Sequence, residues 1–188
     1  MRIAILAVQG AFAEHMQMLS RLGTDAFLVR NKDDWQQPKD GLIIPGGEST
    51  AMMKIISDSG LYTPIRTEIA EGLPVFGTCA GLIMLDSEHL DTMQIKVKRN
   101  AYGRQLGSFR TESDFRGIGI IPMTFIRAPY IEEAGAEAEV LAEVDSHIVA
   151  ARQQNQLVTS FHPELDSDTR IHAFFLEEIV RPWKQKKK

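Results

Sequence analysis

The strongest constraint on this chain is a change of hydrophobic period inside its first 22 residues. Residues 3–8 form an unbroken apolar run, the pattern of a strand buried on both faces. Phe12, Met16, Leu19 and Leu22 then recur at helical spacing until Gly23 interrupts them. The alternation continues over the first eighty residues. Residues 26–29 and 42–44 read as further buried strands, 50–59 and 64–71 as helices, and 75–76 as a short strand after Pro74. Regular strand and helix alternation implies an α/β fold, with a doubly wound, mostly parallel sheet and helices on both faces.

The second half is richer in β-like runs. Residues 95–97, 118–121, 124–126, 140–144, 148–151 and 157–161 are short apolar segments separated by Gly, Asp, Asn and Pro, and a closing helix covers about 169–180. Residues 87–94 and 110–116 are polar and read as loops. With no linker, residues 1–183 are expected to form one domain. Four lysines among the last five positions read as a disordered basic tail, 184–188.

Charge and cysteine content narrow the partners. The net charge is −4, and −8 without those four lysines, so the basic face that nucleic acid requires is not expected. A single cysteine excludes an internal disulfide framework and a zinc site built from several thiolates. No metal motif occurs elsewhere. The run at 3–8 is too short for a signal-peptide core or a membrane span, so a soluble, cytoplasmic protein without a membrane partner is expected.

Gly77-Thr78-Cys79-Ala80-Gly81 lies between the apolar pair Val75-Phe76 and the apolar segment 82–85. This is the G-x-S-x-G nucleophile elbow with Cys for Ser. A strand turning sharply into a helix leaves little room beside the central residue, which then projects at the helix N-terminus, where the dipole favours a thiolate. A buried structural thiol is the alternative reading. Among the five histidines, His162 has the setting of a base: it follows the apolar run 157–161 and opens His162-Pro163-Glu164, with a carboxylate two residues on to orient the imidazole. His15, His89, His147 and His172 have no comparable neighbours and read as surface or packing residues.

Gly46-Gly47-Glu48-Ser49-Thr50 follows the strand at 42–44, and two glycines at a strand's carboxyl end can bring backbone N–H groups to a ligand. The segment is not a phosphate loop, since Glu48 stands where a cation belongs. It also reads as a turn with Ser49 or Thr50 capping the next helix.

Together, residues 46–50, residues 77–81 and His162-Pro163-Glu164-Leu165 resemble the signature of class I, triad-type glutamine amidotransferases, whose fold is flavodoxin-like. Gln9-Gly10, Glu14-His15, Arg99-Asn100-Ala101-Tyr102-Gly103-Arg104-Gln105 and Phe125-Ile126-Arg127-Ala128-Pro129 narrow the resemblance to the glutaminase subunits of glutamine-dependent pyridoxal 5'-phosphate synthases. It spans nearly the whole chain. Residues 87–94 are hard to align with that pattern, and Gln154 stands where glycine is common.

The resemblance implies Cys79 as nucleophile, His162 as general base and acid, and Glu164 as the orienting carboxylate. It implies a glutamine pocket lined by Gly47, Glu48, Ser49, Arg99, Ile126 and Arg127, and an oxyanion hole from the backbone N–H groups of Gly47 and Ala80. L-glutamine would be the substrate and no cofactor or metal would be bound. Ammonia would pass to a synthase subunit within a large, ring-shaped hetero-oligomer. The Gly46-Gly47 pair permits more than one backbone conformation, so the oxyanion hole is expected to depend on that partner. The rivals are a glutaminase serving another synthase, such as the imidazole glycerol phosphate type, and a non-catalytic flavodoxin-like binding module.

Overall fold

Arg2–Leu6 forms β1, the strand expected from the first apolar run, and its side chains divide the molecule into two cores. Ile3 and Ile5 face one side, and Ala4 and Leu6 the other, all fully buried. The structure, a computed structural model, describes residues 1–99 and 107–187. In chain order, β1 is followed by α1 (Phe12–Arg21), β2 (Asp25–Val29), α2 (Lys32–Trp35), β3 (Gly41–Ile44), α3 (Ser49–Asp58), α4 (Tyr62–Ala70), β4 (Val75–Thr78) and α5 (Ala80–Leu85). Then come β5 (Ile95–Lys98), β6 (Ser108–Phe115), β7 (Gly119–Ile126), β8 (Tyr130–Ala134), β9 (Glu139–Val144), β10 (His147–Gln153) and β11 (Gln156–Thr159). A 3-10 turn (Pro163–Leu165) leads into α6 (Arg170–Phe174), a π-helical segment (Phe175–Val180) and α7 (Arg181–Lys186).

The main sheet runs β2-β1-β3-β4-β11-β10-β8-β5, with β9 added alongside β10. Pairing is parallel from β2 through β11 and antiparallel beyond, so the fold is α/β and mostly parallel where the site lies. Met52, Ile56, Ile65, Ile69 and Leu82 from α3, α4 and α5 close one face of the sheet. Leu19 of α1 with Ile171, Phe175 and Ile179 near the C-terminus closes the other. The strand order reverses between β1 and β3, and the carboxyl ends of β1, β3, β4 and β11 lie side by side. A crevice at such a reversal is where open α/β sheets bind ligands.

Several elements differ from the sequence reading. Strand β2 is an edge strand with only Val29 buried. Residues 110–116, read as a loop, lie mostly in β6, which pairs antiparallel with β7 in a separate two-stranded ribbon. Its side chains alternate between half-buried and exposed, and most are polar, which hides the strand from an apolar-run search. Strand β7 continues through Pro122, a residue tolerated in a ribbon whose strands both have an open edge.

At the C-terminus the helix runs on to Lys186, into the stretch expected as a disordered tail, and Lys184 donates to Asp40 at 2.7 Å. The π-helical segment precedes Pro182, which has no N–H for the carbonyl of Glu178 four residues back. Arg152 donates to that carbonyl instead, at 3.3 Å. Among the described residues no helix is long and apolar enough to cross a membrane.

Candidate active site

Cys79 sits between β4 and α5 with φ 49 and ψ −98, a strained backbone that the surrounding contacts enforce. Its amide donates to the Thr159 carbonyl at 2.8 Å, tying the elbow to β11. Glycine at position 81 is dictated by packing. A Cβ there would collide with the carbonyl oxygen of Ile44, so only glycine lets α5 approach β3 this closely. Ala80 is the first residue of α5, so its amide has no intrahelical carbonyl to donate to.

His162 follows β11, the strand beside β4, and the parallel register of Thr159 with Thr78 brings it to Cys79. Its amide donates to the Thr124 carbonyl at 2.8 Å, and the Thr124 hydroxyl and Arg110 both bond Asp166. The β6–β7 ribbon therefore holds the turn that carries the imidazole. Nδ1 of His162 stands 2.7 Å from Oε1 of Glu164, and Pro163 between them restricts the turn. Burial opposes a charge on His162. The hydrogen bonds to Cys79 and Glu164 outweigh it and raise the imidazole pKa to about 10. Cys79, His162 and Glu164 are thus one buried, hydrogen-bonded line.

A cavity of about 560 Å³ opens onto Cys79 and His162. All six residues expected in a glutamine pocket, Gly47, Glu48, Ser49, Arg99, Ile126 and Arg127, line it. Arg127 shares the positive φ of Cys79, at 43, with its amide donating to the Gly107 carbonyl. Arg99 is held by Thr50 Oγ1 at 3.2 Å and by His89 Nε2 at 2.7 Å, and Asp86 orients His89 from its other nitrogen at 2.6 Å. Residues 100–105 of the Arg99 segment lie outside the described residues.

The cap of α3 corrects the sequence reading. Glu48, not Ser49 or Thr50, is the cap, accepting from the amides of Thr50 at 3.1 Å and Ala51 at 2.7 Å. These bonds hold its carboxyl below the usual carboxylate range, with help from Arg99. The Gly46 carbonyl accepts the Ala11 N–H at 2.9 Å. A Cβ on Gly46 would strike the His162 ring, and one on Gly47 would strike Gln9 Oε1. The Gln9 oxygen instead receives the Glu48 amide at 2.7 Å.

Sequence reasoning quoted Gln9 and His15 only as parts of a resembling motif and read His15 and His172 as surface or packing residues; what it missed is the set of contacts they make. Both histidines are fully buried and hydrogen-bonded to each other across 157 residues of chain, a separation that no local pattern signals.

Residues 5–181 match a family described as the SNO glutamine amidotransferase family. The chain is 56% identical to the pyridoxal 5'-phosphate synthase subunit PdxT of Streptococcus pneumoniae (strain CGSP14), over 94% of this chain and 96% of that one. It is also 56% identical to the subunit of the same name from Methanocorpusculum labreanum, over 96% and 98%. A crystal structure of a glutamine amidotransferase superposes with TM-score 0.89 at 40% identity, over 95% of this chain and 98% of that one. A glutamine amidotransferase from Thermotoga maritima superposes with TM-score 0.65 at 13% identity, over 98% of this chain and 90% of that one, and shares the fold.

Proposed function

This chain belongs to the SNO glutamine amidotransferase family, and from that premise we infer that Cys79, His162 and Glu164 hydrolyse L-glutamine to L-glutamate for a pyridoxal 5'-phosphate synthase. The observation that carries this reading is the hydrogen-bonded line of those three residues at the mouth of the cavity.

In this mechanism Cys79 Sγ, as thiolate, attacks the side-chain amide carbon of glutamine. The amide oxygen becomes an oxyanion, for which the Gly47 and Ala80 amides would be the donors. His162, charged beside Glu164, gives its proton to the departing nitrogen, and ammonia leaves as the thioester forms. A water molecule then loses a proton to His162 and attacks the thioester, releasing glutamate and restoring the thiolate–imidazolium pair. Arg99 and Arg127 offer fixed cations to the substrate's α-carboxylate.

Ammonia released into neutral water is protonated and loses its nucleophilicity. Direct transfer to a separate synthase subunit in a ring-shaped hetero-oligomer avoids that loss, and the similarity to PdxT subunits supports it. Synthase and glutaminase then work together in the cytoplasm.

Cys79→Ala tests the assignment, because it removes the nucleophile and little volume. Ammonia release from glutamine, assayed with the synthase subunit present, should fall to background while circular dichroism is unchanged. Retained turnover would overturn the triad.

A further inference from the structure

The triad carboxylate has a second oxygen that the mechanism leaves unused. Oε2 of Glu164 is buried without a hydrogen-bond partner among the described residues. The side chains of Glu164 and His15 are both fully buried, and His15 Nε2 lies 3.6 Å from that oxygen, a charge–dipole contact in this state. The same Nε2 is 3.1 Å from the hydroxyl of Thr78, the residue before Cys79, and Nδ1 is 2.9 Å from His172 Nε2. His15 therefore faces Thr78 and Phe76 of β4, His172 of α6, and Glu164 and His162 of the turn after β11.

The chemistry of this pair fixes where its protons lie. Burial lowers the pKa of both histidines, that of His172 to about 3 and that of His15 well below the usual imidazole value, so both are neutral. Two neutral imidazoles in contact need one N–H and one bare nitrogen between them. If His15 donated from Nδ1, its bare Nε2 lone pair would face the Glu164 carboxylate, and His172 would bury an N–H at Nδ1, which has no partner among the described residues. If His172 donates from Nε2, its unpaired Nδ1 is a bare acceptor and His15 presents Nε2–H to Thr78 and Glu164. The second arrangement places a donor against the anion and avoids a buried orphan N–H.

We propose that His15, kept in its Nε2–H tautomer by His172, is a positioning residue that steadies the free oxygen of Glu164 and through it the orientation of His162 toward Cys79. The proposal rests on the triad reading above. His15 lies in α1, directly after residues 9–11 of the cavity wall, so one short element supports both the pocket and the back of the triad.

Three replacements of His15 separate positioning from packing. A Gln amide nitrogen falls near the position of Nε2, an Asn amide nitrogen near that of Nδ1, and Leu supplies neither. Glutaminase activity of the full chain with the synthase subunit is measured against pH, beside the pH dependence of Cys79 alkylation by iodoacetamide and thermal unfolding of each variant. His15→Leu and His15→Asn should lower kcat about tenfold with KM little changed, whereas His15→Gln is the conservative replacement. They should also move the acid limb of both profiles upward by about one pH unit, because the carboxylate has lost an N–H dipole that favours its charged form. Gln should restore most of kcat and the wild-type acid limb.

Wild-type profiles in folded Leu and Asn variants, or a Gln variant no better than Asn at equal thermal stability, would overturn the proposal. A measurement on the unaltered protein covers variants that do not fold: nitrogen-15 imidazole shifts should show His15 protonated at Nε2, and protonation at Nδ1 would overturn it. Absence of glutaminase activity in the wild type would instead strike the triad reading itself.

Discussion

Nδ1 of His162 and Oε1 of Glu164 lie 2.7 Å apart across a single proline, so the carboxylate that orients the imidazole is carried on the same turn as the imidazole. The proposed base and its orienting group therefore share one turn. His162→Asn removes the proton carrier and should reduce glutaminase kcat by at least about 10³-fold. Glu164→Gln keeps a hydrogen-bonding group but removes the charge, and should cost less, about 10²-fold. Single-turnover assays that separate acylation from thioester hydrolysis check the order. An inverted order would mean that charge, not proton transfer, limits the reaction.

The buried pair His15 and His172 makes stability fall in acid. Both have lowered pKa values in the folded state, so below the ordinary value of 6.5 the unfolded chain binds protons that the folded chain refuses. The loss from His172 alone approaches about 3 kcal/mol by pH 4.5, from ~1.4 kcal/mol per pH unit. His172→Gln keeps a donor for His15 but does not titrate, and should reduce the fall in Tm between pH 6.5 and 4.5 by about half. His162 acts on the opposite flank. Its pKa is raised to about 10, so its contribution is present below 6.5 and is lost as pH rises through about 10. Thermal melts from pH 4 to 10.5 follow both limbs.

Gln154 occupies the loop between β10 and β11 with φ 53, the left-handed region in which glycine is favoured at the first position of a two-residue hairpin turn. The backbone explains why glycine is common at this place. Gln154→Gly relieves about 1 kcal/mol of backbone strain, partly offset by the added freedom of the unfolded chain. A rise of a few degrees in Tm with unchanged glutaminase activity is expected. A fall in Tm would show that the side chain contributes more than the turn costs it.

The Gly46-Gly47 peptide carries the most consequential freedom in the site. Its carbonyl is held by the Ala11 amide, and a rotation of the peptide would break that bond while leaving Cys79 and His162 in place. An oxyanion donor is worth on the order of 10²–10³ in rate. With glutamine saturating, addition of the synthase partner should therefore raise kcat by up to that factor. Iodoacetamide should alkylate Cys79 readily before the partner is added. Equal rates with and without the partner would rule out this control.

The parallel half of the fold is legible because β1, β3 and β4 are buried on both faces and leave continuous apolar runs. The glycines at 77 and 81 and the His-Pro-Glu turn are legible for a similar reason: packing at those points leaves few alternatives. Strand β6 is hidden because its two buried or half-buried aromatics, Phe109 and Phe115, are separated by five polar residues that pair with β7 without forming an apolar run. Glu48 reads as a pocket residue alone, yet its carboxylate also caps α3, two roles that one position in a sequence does not separate. Contacts between distant segments, such as His15 with His172, leave no local trace.

The place of β11 beside β4 sets a timetable for the chain as it is synthesised. Cys79 has been synthesised once the first half has emerged, but the strand that delivers His162 is paired with β4 from some eighty residues further on. Such long-range parallel pairing forms late, since a large loop must close first. Until β11 inserts between β4 and β10 there is no imidazole beside the thiol, and the carbonyl of Thr159 that anchors the elbow is missing as well. On the proposed mechanism a nascent or truncated chain is chemically silent toward glutamine, and activity begins only when the centre of the sheet is closed.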